Sequence, residues 1–301
     1  MLEALLIGGK AEPIWSVPTI GVETALPYLY INAAVGVYMD SVLINFGGAK
    51  DGVVNNELRY YQSSNKTMAT SGAAGTVPLA KGYSLGCMVG DNFYVLGGSP
   101  GPREFHRWSW LTGTWVTLAS PPRNVWGSSL VHYNGYLYMA GATALGAVPL
   151  LRYQISSGTW VALGNMPFQV MFGRMVERNG WLYFLGGYDY VEGGRNGKCY
   201  FYNIAAGTWG VLPPLLYHVS EHTAVVIGSR IYVMGGADNV SKRTNAMQVY
   251  DVPTNTWYDR GVFGPASNSA QAAVMNGKIY LFGGTEAPVV GENLKMHIYK
   301  P

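Results

Sequence analysis

The chain has 301 residues, of which 49% are hydrophobic and 12% charged, with 40 glycines and a formal net charge of +3. So apolar a composition excludes a disordered chain, and basic residues that are scattered rather than clustered give no footprint for nucleic acid. No stretch approaches the length of a membrane span.

The first residues, MLEALLIGG, carry an acid where a signal peptide carries positive charge, and their apolar run is too short for its hydrophobic core. Two cysteines, Cys87 and Cys199, fall far apart in the chain. They are expected to be free buried thiols in a protein made in the cytoplasm without a signal peptide. Leu5-Leu6-Ile7-Gly8-Gly9 imitates a signature that recurs later but has no strand ahead of it. Residues 1–13 therefore read as an extra edge strand or an attachment segment. Residues 14–17, around Trp15, are expected to supply a strand that the other end of the chain lacks.

From there the sequence repeats. An apolar strand ending in two small residues occurs at Phe46-Gly47-Gly48, Leu96-Gly97-Gly98, Met139-Ala140-Gly141, Leu185-Gly186-Gly187, Met234-Gly235-Gly236 and Phe282-Gly283-Gly284. The intervals run from 43 to 50 residues, close to the period of propeller blades. An aromatic and a tryptophan seven residues apart recur at Trp108/Trp115, Tyr153/Trp160, Tyr202/Trp209 and Tyr250/Trp257. In the first repeat Tyr60 is matched with Thr67, and in the last Tyr299 has no partner after it. The plainest copy, residues 221–257, holds four alternating apolar segments at 224–227, 231–234, 246–250 and from Trp257 onward. Each has the β-branched and aromatic content of a short strand bounded by turn residues. The predicted fold is all-β: a six-bladed β-propeller of four-stranded antiparallel blades, one domain over 1–301, with the ring closed by the N-terminal strand. Closure would remove an exposed sheet edge.

The glycine pairs, the Tyr-to-Trp spacing and the run from Pro122-Arg123 through Val131, Asn134-Gly135 and Leu137-Tyr138 resemble kelch repeats over nearly the whole chain. The resemblance implies a propeller that binds a protein or a glycan, with a minority of enzymes; fold alone does not choose among these.

Strand parity sorts the loops onto two faces. Turns such as Asn134-Gly135, Asn179-Gly180 and Asn276-Gly277 suit two-residue hairpins and make one face plain. Loops between second and third strands, and those joining one blade to the next, are longer and all different, and such loops on a rigid scaffold are where function is placed. The candidates on that face are Arg123, Trp126, Phe168, Phe172, Arg174, Tyr217, His218 and Glu221 from the blade-connecting loops, and Tyr188, Tyr190 and Arg195 from the others. Aromatics beside arginines suit a recognition surface, although Trp126 and Phe172 could instead plug the channel mouth and Arg123 could hold its own loop.

His218-Val219-Ser220-Glu221-His222 spells H-x-x-E-H, a zinc-protease pattern that works when a helix sets both imidazoles on one face. Here it runs into a strand, where the two histidines would stand about 13 Å apart, so it reads as chance. The enzymatic comparison is with six-bladed sialic acid mutarotases of kelch type, for which Glu221 or His218 with Arg123 or Arg174 could provide acid/base and carboxylate-clamp groups. The expectation is a non-enzymatic recognition or scaffold module. It needs no catalytic residue, metal or cofactor, and binds a protein or glycan and other subunits of an assembly such as a phage tail or virion.

Overall fold

A computed structural model describes residues 6–7, 10–11, 19–25, 32–50, 53–71, 74–75, 82–99, 103–125, 127–141, 148–240, 242–286 and 295–301. They form six four-stranded antiparallel blades and, among the described residues, no helix. Blade one is Ala34–Tyr38, Val42–Phe46, Leu58–Gln62 and Thr67–Ser71. Blade two is Leu85–Val89, Asn92–Leu96, Phe105–Ser109 and Thr114–Thr117, and blade three Ser129–Tyr133, Tyr136–Ala140, Pro149–Gln154 and Thr159–Asn165. Blade four has Arg174–Arg178, the long pair Trp181–Asp189 and Gly194–Asn203, and Thr208–Leu212. Blade five is Thr223–Ile227, Arg230–Met234, Ala246–Asp251 and Thr256–Val262. In blade six, Gln271–Met275, Lys278–Phe282 and Lys295–Lys300 are joined by Thr19–Ala25, which pairs antiparallel with the last of them.

That fourth strand begins later in the chain than expected, and residues 14–17 lie outside the described residues. The N-terminal imitation of the signature forms a small hairpin, Leu6–Ile7 against Lys10–Ala11.

The core lies between blades. The first strands adjoin one another in a cycle that returns from blade six to blade one. Second strands are buried on both faces, so their alternate side chains serve different neighbours. In blade five, Ile231 and Val233 pack toward Leu185 and Cys199 of blade four, while Tyr232 and Met234 pack toward Ile279 and Leu281 of blade six. The same division at each junction gives six interblade clusters.

The seven-residue spacing is a cross-strand pair. Trp108, Tyr153, Tyr202 and Tyr250 sit directly opposite Trp115, Trp160, Trp209 and Trp257, with ring centroids 5.0–5.2 Å apart in the last three. In blade one the anchor is Tyr61 opposite Met68, one residue beyond the expected Tyr60 and Thr67. Tyr61 is fully buried, whereas Tyr60 points to the other side and meets Trp110 edge-on.

In blades three to six the second glycine of the pair has a second reason besides conformation. At Gly236, with φ of 104°, an added Cβ would lie 2.7 Å from the Ser220 carbonyl oxygen, because the end of the second strand passes over the entry to the first. Both cysteines are free; Cys199 is buried as expected, but Cys87 is partly exposed on a first strand.

Candidate functional site

The residue two positions before each first strand is left-handed in all six blades: Asn32, Tyr83, Gly127, Phe172, Glu221 and Ser269, with φ between 55° and 70°. Only one is glycine, although the conformation costs other residues about 1–2 kcal/mol each. Backbone hydrogen bonds tie these positions across blades. Phe172 N donates to Gly127 O, Glu221 N to Phe172 O and Ser269 N to Glu221 O, each at 2.8 Å, and Asn32 N to Ser269 O at 3.4 Å. The result is a collar at the mouth of the central channel, with strain held by a surrounding hydrogen-bonded frame.

Glu221 is pinned in this collar. Its Oε2 accepts from Asn268 Nδ2 at 2.7 Å and Ser269 Oγ at 2.9 Å, and Asn268 Oδ1 in turn accepts from Arg243 Nε at 3.0 Å. Arg174, at the start of blade four, donates from Nε to His222 O at 2.7 Å, and burial pushes its pKa down to about 10 despite the carboxylate of Glu221.

Outside the collar, on the same face, two grooves lie side by side over blades four and five. The first, of about 700 Å³, is lined by Leu216, Tyr217, His218, Asn239, Val240, Asp259 and Val262 among others. The second, of about 730 Å³, runs along the blade-four hairpin past Tyr188, Glu192, Arg195 and Lys198 to His218 and Asn239, which both grooves share. Leu216, Tyr217, Val240 and Val262 are exposed, Val240 at 81%.

The walls are fixed from below. Gln248, 2% exposed, accepts from the backbone N–H groups of Leu216 and Tyr217 and donates back to Tyr217 O. The Tyr217 hydroxyl donates to Asp259. Arg195 bonds Ser220 Oγ at 2.9 Å and lies over the Tyr188 ring, and its backbone N–H reaches Asn239 Oδ1 at 2.7 Å, joining the two blades. Asp189 closes the hairpin turn by accepting from Val191 N, Glu192 N and Asn196 Nδ2.

The predicted residues thus divide. Tyr188, Arg195, Tyr217 and His218 line the grooves, and Tyr190 stands exposed at the hairpin tip, edge-on to Tyr188. Phe172, Arg174 and Glu221 are at the collar. Two leave the surface assigned to them. Phe168 is buried at the junction of blades three and four among Phe184, Tyr200 and Trp209, because an aromatic in a linker is drawn into the nearest apolar gap. Arg123 bonds the carbonyls of Asn124 and Pro149 and holds its own loop. Trp126 lies outside the described residues. Leu216, Asn239, Val240, Gln248 and Val262 were missed, although an apolar residue flanking a loop tyrosine is a signal that would have found Leu216.

No helix carries the H-x-x-E-H segment: His218 is exposed while His222 is fully buried. No cluster of three metal-ligating side chains occurs among the described residues. Burial first, and then the charge of Arg174, push the His222 pKa down to about 3. An unfolded histidine titrates near 6.5, so between these values the unfolded chain takes up a proton that the folded chain refuses. Stability is therefore full above about pH 6.5 and lost as pH falls toward 3, at up to about 1.4 kcal/mol per pH unit from this group. His222→Gln is expected to flatten that slope in urea titrations between pH 7 and pH 4.5. An unchanged slope would show that other groups control acid unfolding.

Residues 173–300 match the model of the KLHDC2/KLHL20/DRC7 Kelch-repeats domain, a span that holds blades four and five, three strands of blade six and both grooves. No curated protein matches the chain. Among the described residues no helix is long and apolar enough to cross a membrane. The chain is thus a six-bladed β-propeller whose C-terminal residues, 173–300, are similar to that kelch-repeat domain.

Proposed function

We propose that this propeller is a non-enzymatic recognition module that takes an extended segment of a protein partner along the paired grooves of blades four and five. The observation that carries the proposal is the meeting of the two grooves at His218 and Asn239. A peptide lying across that junction would set apolar side chains on Leu216, Tyr217, Val240 and Val262 and polar ones on Arg195. Exposed aromatic, aliphatic and arginine side chains in one depression are what interface centres use. The loops are already held by Gln248, Ser220 and Asp189, so less ordering entropy opposes binding. A glycan partner, a place in a virion and subunit contacts through residues 1–13 draw nothing from the fold or from the family match.

Selection of a displayed random-peptide library on the intact chain tests this. Enriched peptides should share a motif, and Tyr217→Ala should weaken them at least tenfold, about 1.4 kcal/mol or more. Leu111→Ser, on an exposed turn of the opposite face, should leave them unchanged. No shared motif, or peptides sensitive to Leu111 and indifferent to Tyr217, would overturn the proposal.

A further inference from the structure

Beneath the collar the six first strands wall a channel cavity of about 240 Å³, and a smaller space of about 30 Å³ lies at the collar itself. Ser84, Leu85, Arg174 and Gln271 border both. Farther in, the walls are small and apolar, with Ala33, Gly36, Gly86, Ala224, Ala272 and Ala273.

Two buried polar atoms near the collar lack partners among the described residues, Ser84 bordering both spaces and Asn32 only the smaller one. Ser84 Oγ and Asn32 Nδ2 belong to residues only 6% and 9% exposed, and neither atom has a hydrogen-bond partner among the described residues. Arg174 uses Nε on the His222 carbonyl, and no hydrogen bond or ion pair among the described residues engages its two terminal nitrogens. Glu221, whose charge acts on Arg174, spends its hydrogen bonds on Asn268 and Ser269. Buried polar groups are normally hydrogen-bonded, so the buried Ser84 hydroxyl calls for a partner that the described residues do not supply, and the partly buried Arg174 guanidinium, with its terminal nitrogens uncommitted, borders the same cavity.

We infer that the channel binds a small organic carboxylate, with its oxygens on Arg174 and Ser84 and its apolar body against the alanines below. The guanidinium fork matches a carboxylate in two parallel hydrogen bonds. A doubly charged oxyanion is disfavoured because the Glu221 carboxylate stands at the same mouth, and the alanine-lined part of the cavity gives an inorganic ion nothing to bury. This site is separate from the grooves, so its test is independent of the peptide-recognition proposal.

The probes are sodium acetate, butyrate and hexanoate, titrated calorimetrically into the intact chain at pH 7 and constant ionic strength, with sodium sulfate as the comparison. Saturable one-to-one binding is expected, tightening from acetate to butyrate and weakened at least tenfold by Arg174→Gln. Ala272→Leu narrows the cavity without removing the charge and should weaken butyrate by a similar factor. Should Arg174→Gln fail to fold, as judged by circular dichroism, Ala272→Leu carries the comparison. Absence of saturable carboxylate binding, sulfate binding as tight as butyrate, or butyrate binding that a folded Ala272→Leu keeps in full would overturn the inference.

Discussion

Gly187→Ala is expected to destabilise the propeller by roughly 4 kcal/mol, against about 1 kcal/mol for Gly277→Ala. Both residues have positive φ, 114° and 67°, so alanine is strained at either. They differ in what surrounds them. A Cβ at Gly277 would meet nothing within 4 Å, whereas at Gly187 it would lie 2.3 Å from Val170 Cγ1 and 2.7 Å from both Gly173 N and Met171 O. The valine methyl can rotate away, but the two backbone atoms belong to the segment that enters the collar. Urea denaturation of the two variants separates the effects. Equal losses would mean that the glycine pair serves backbone conformation alone and that close passage of the strands contributes nothing.

Trp257→Ala should cost about 3–5 kcal/mol, the range for deleting a buried tryptophan from a core. The indole is 6% exposed, stacks at an angle on Tyr250 and donates from Nε1 to Pro213 O at 2.9 Å, fastening the loop that leads into the grooves. Trp160 occupies the corresponding place in blade three and bonds Ala119 O at 2.8 Å, yet it is only partly buried. Its removal should cost less than half as much. Trp257→Phe, which keeps the ring and loses the hydrogen bond, should cost about 1–2 kcal/mol. Similar losses for Trp257→Ala and Trp160→Ala in thermal or urea melts would contradict the view that burial, more than the repeated hydrogen bond, sets the value of each anchor.

The fold was legible because its determinants are local and repeated. A glycine pair marks where a second strand must pass close to a first, and a seven-residue spacing marks two side chains brought face to face by one hairpin. The Tyr60-Tyr61 doublet misled by a single residue, since either ring could be aligned to the pattern and only the register distinguishes the buried one. The site was legible only in part. Loop length placed Tyr217 and His218 on the face that carries the grooves, but the blade-four strands continue through Asp189 and from Gly194, so Tyr188 and Arg195 belong to a hairpin rather than a loose loop. The collar escaped notice because its members, Asn32, Tyr83, Gly127, Phe172, Glu221 and Ser269, share a backbone conformation and no chemistry. The grooves depend on contacts between blades, such as Arg195 N with Asn239 Oδ1, which no repeat within one blade encodes.

Hydrogen–deuterium exchange of the intact chain with and without a peptide enriched in the library selection tests the central claim most directly. Binding along the paired grooves predicts slowed exchange confined to residues 189–195, 215–219 and 238–244, with the hairpin turns of the opposite face unchanged. Protection at those turns, around residues 111–113, 156–158 and 205–207, and none at 215–219 or 238–244, would contradict it.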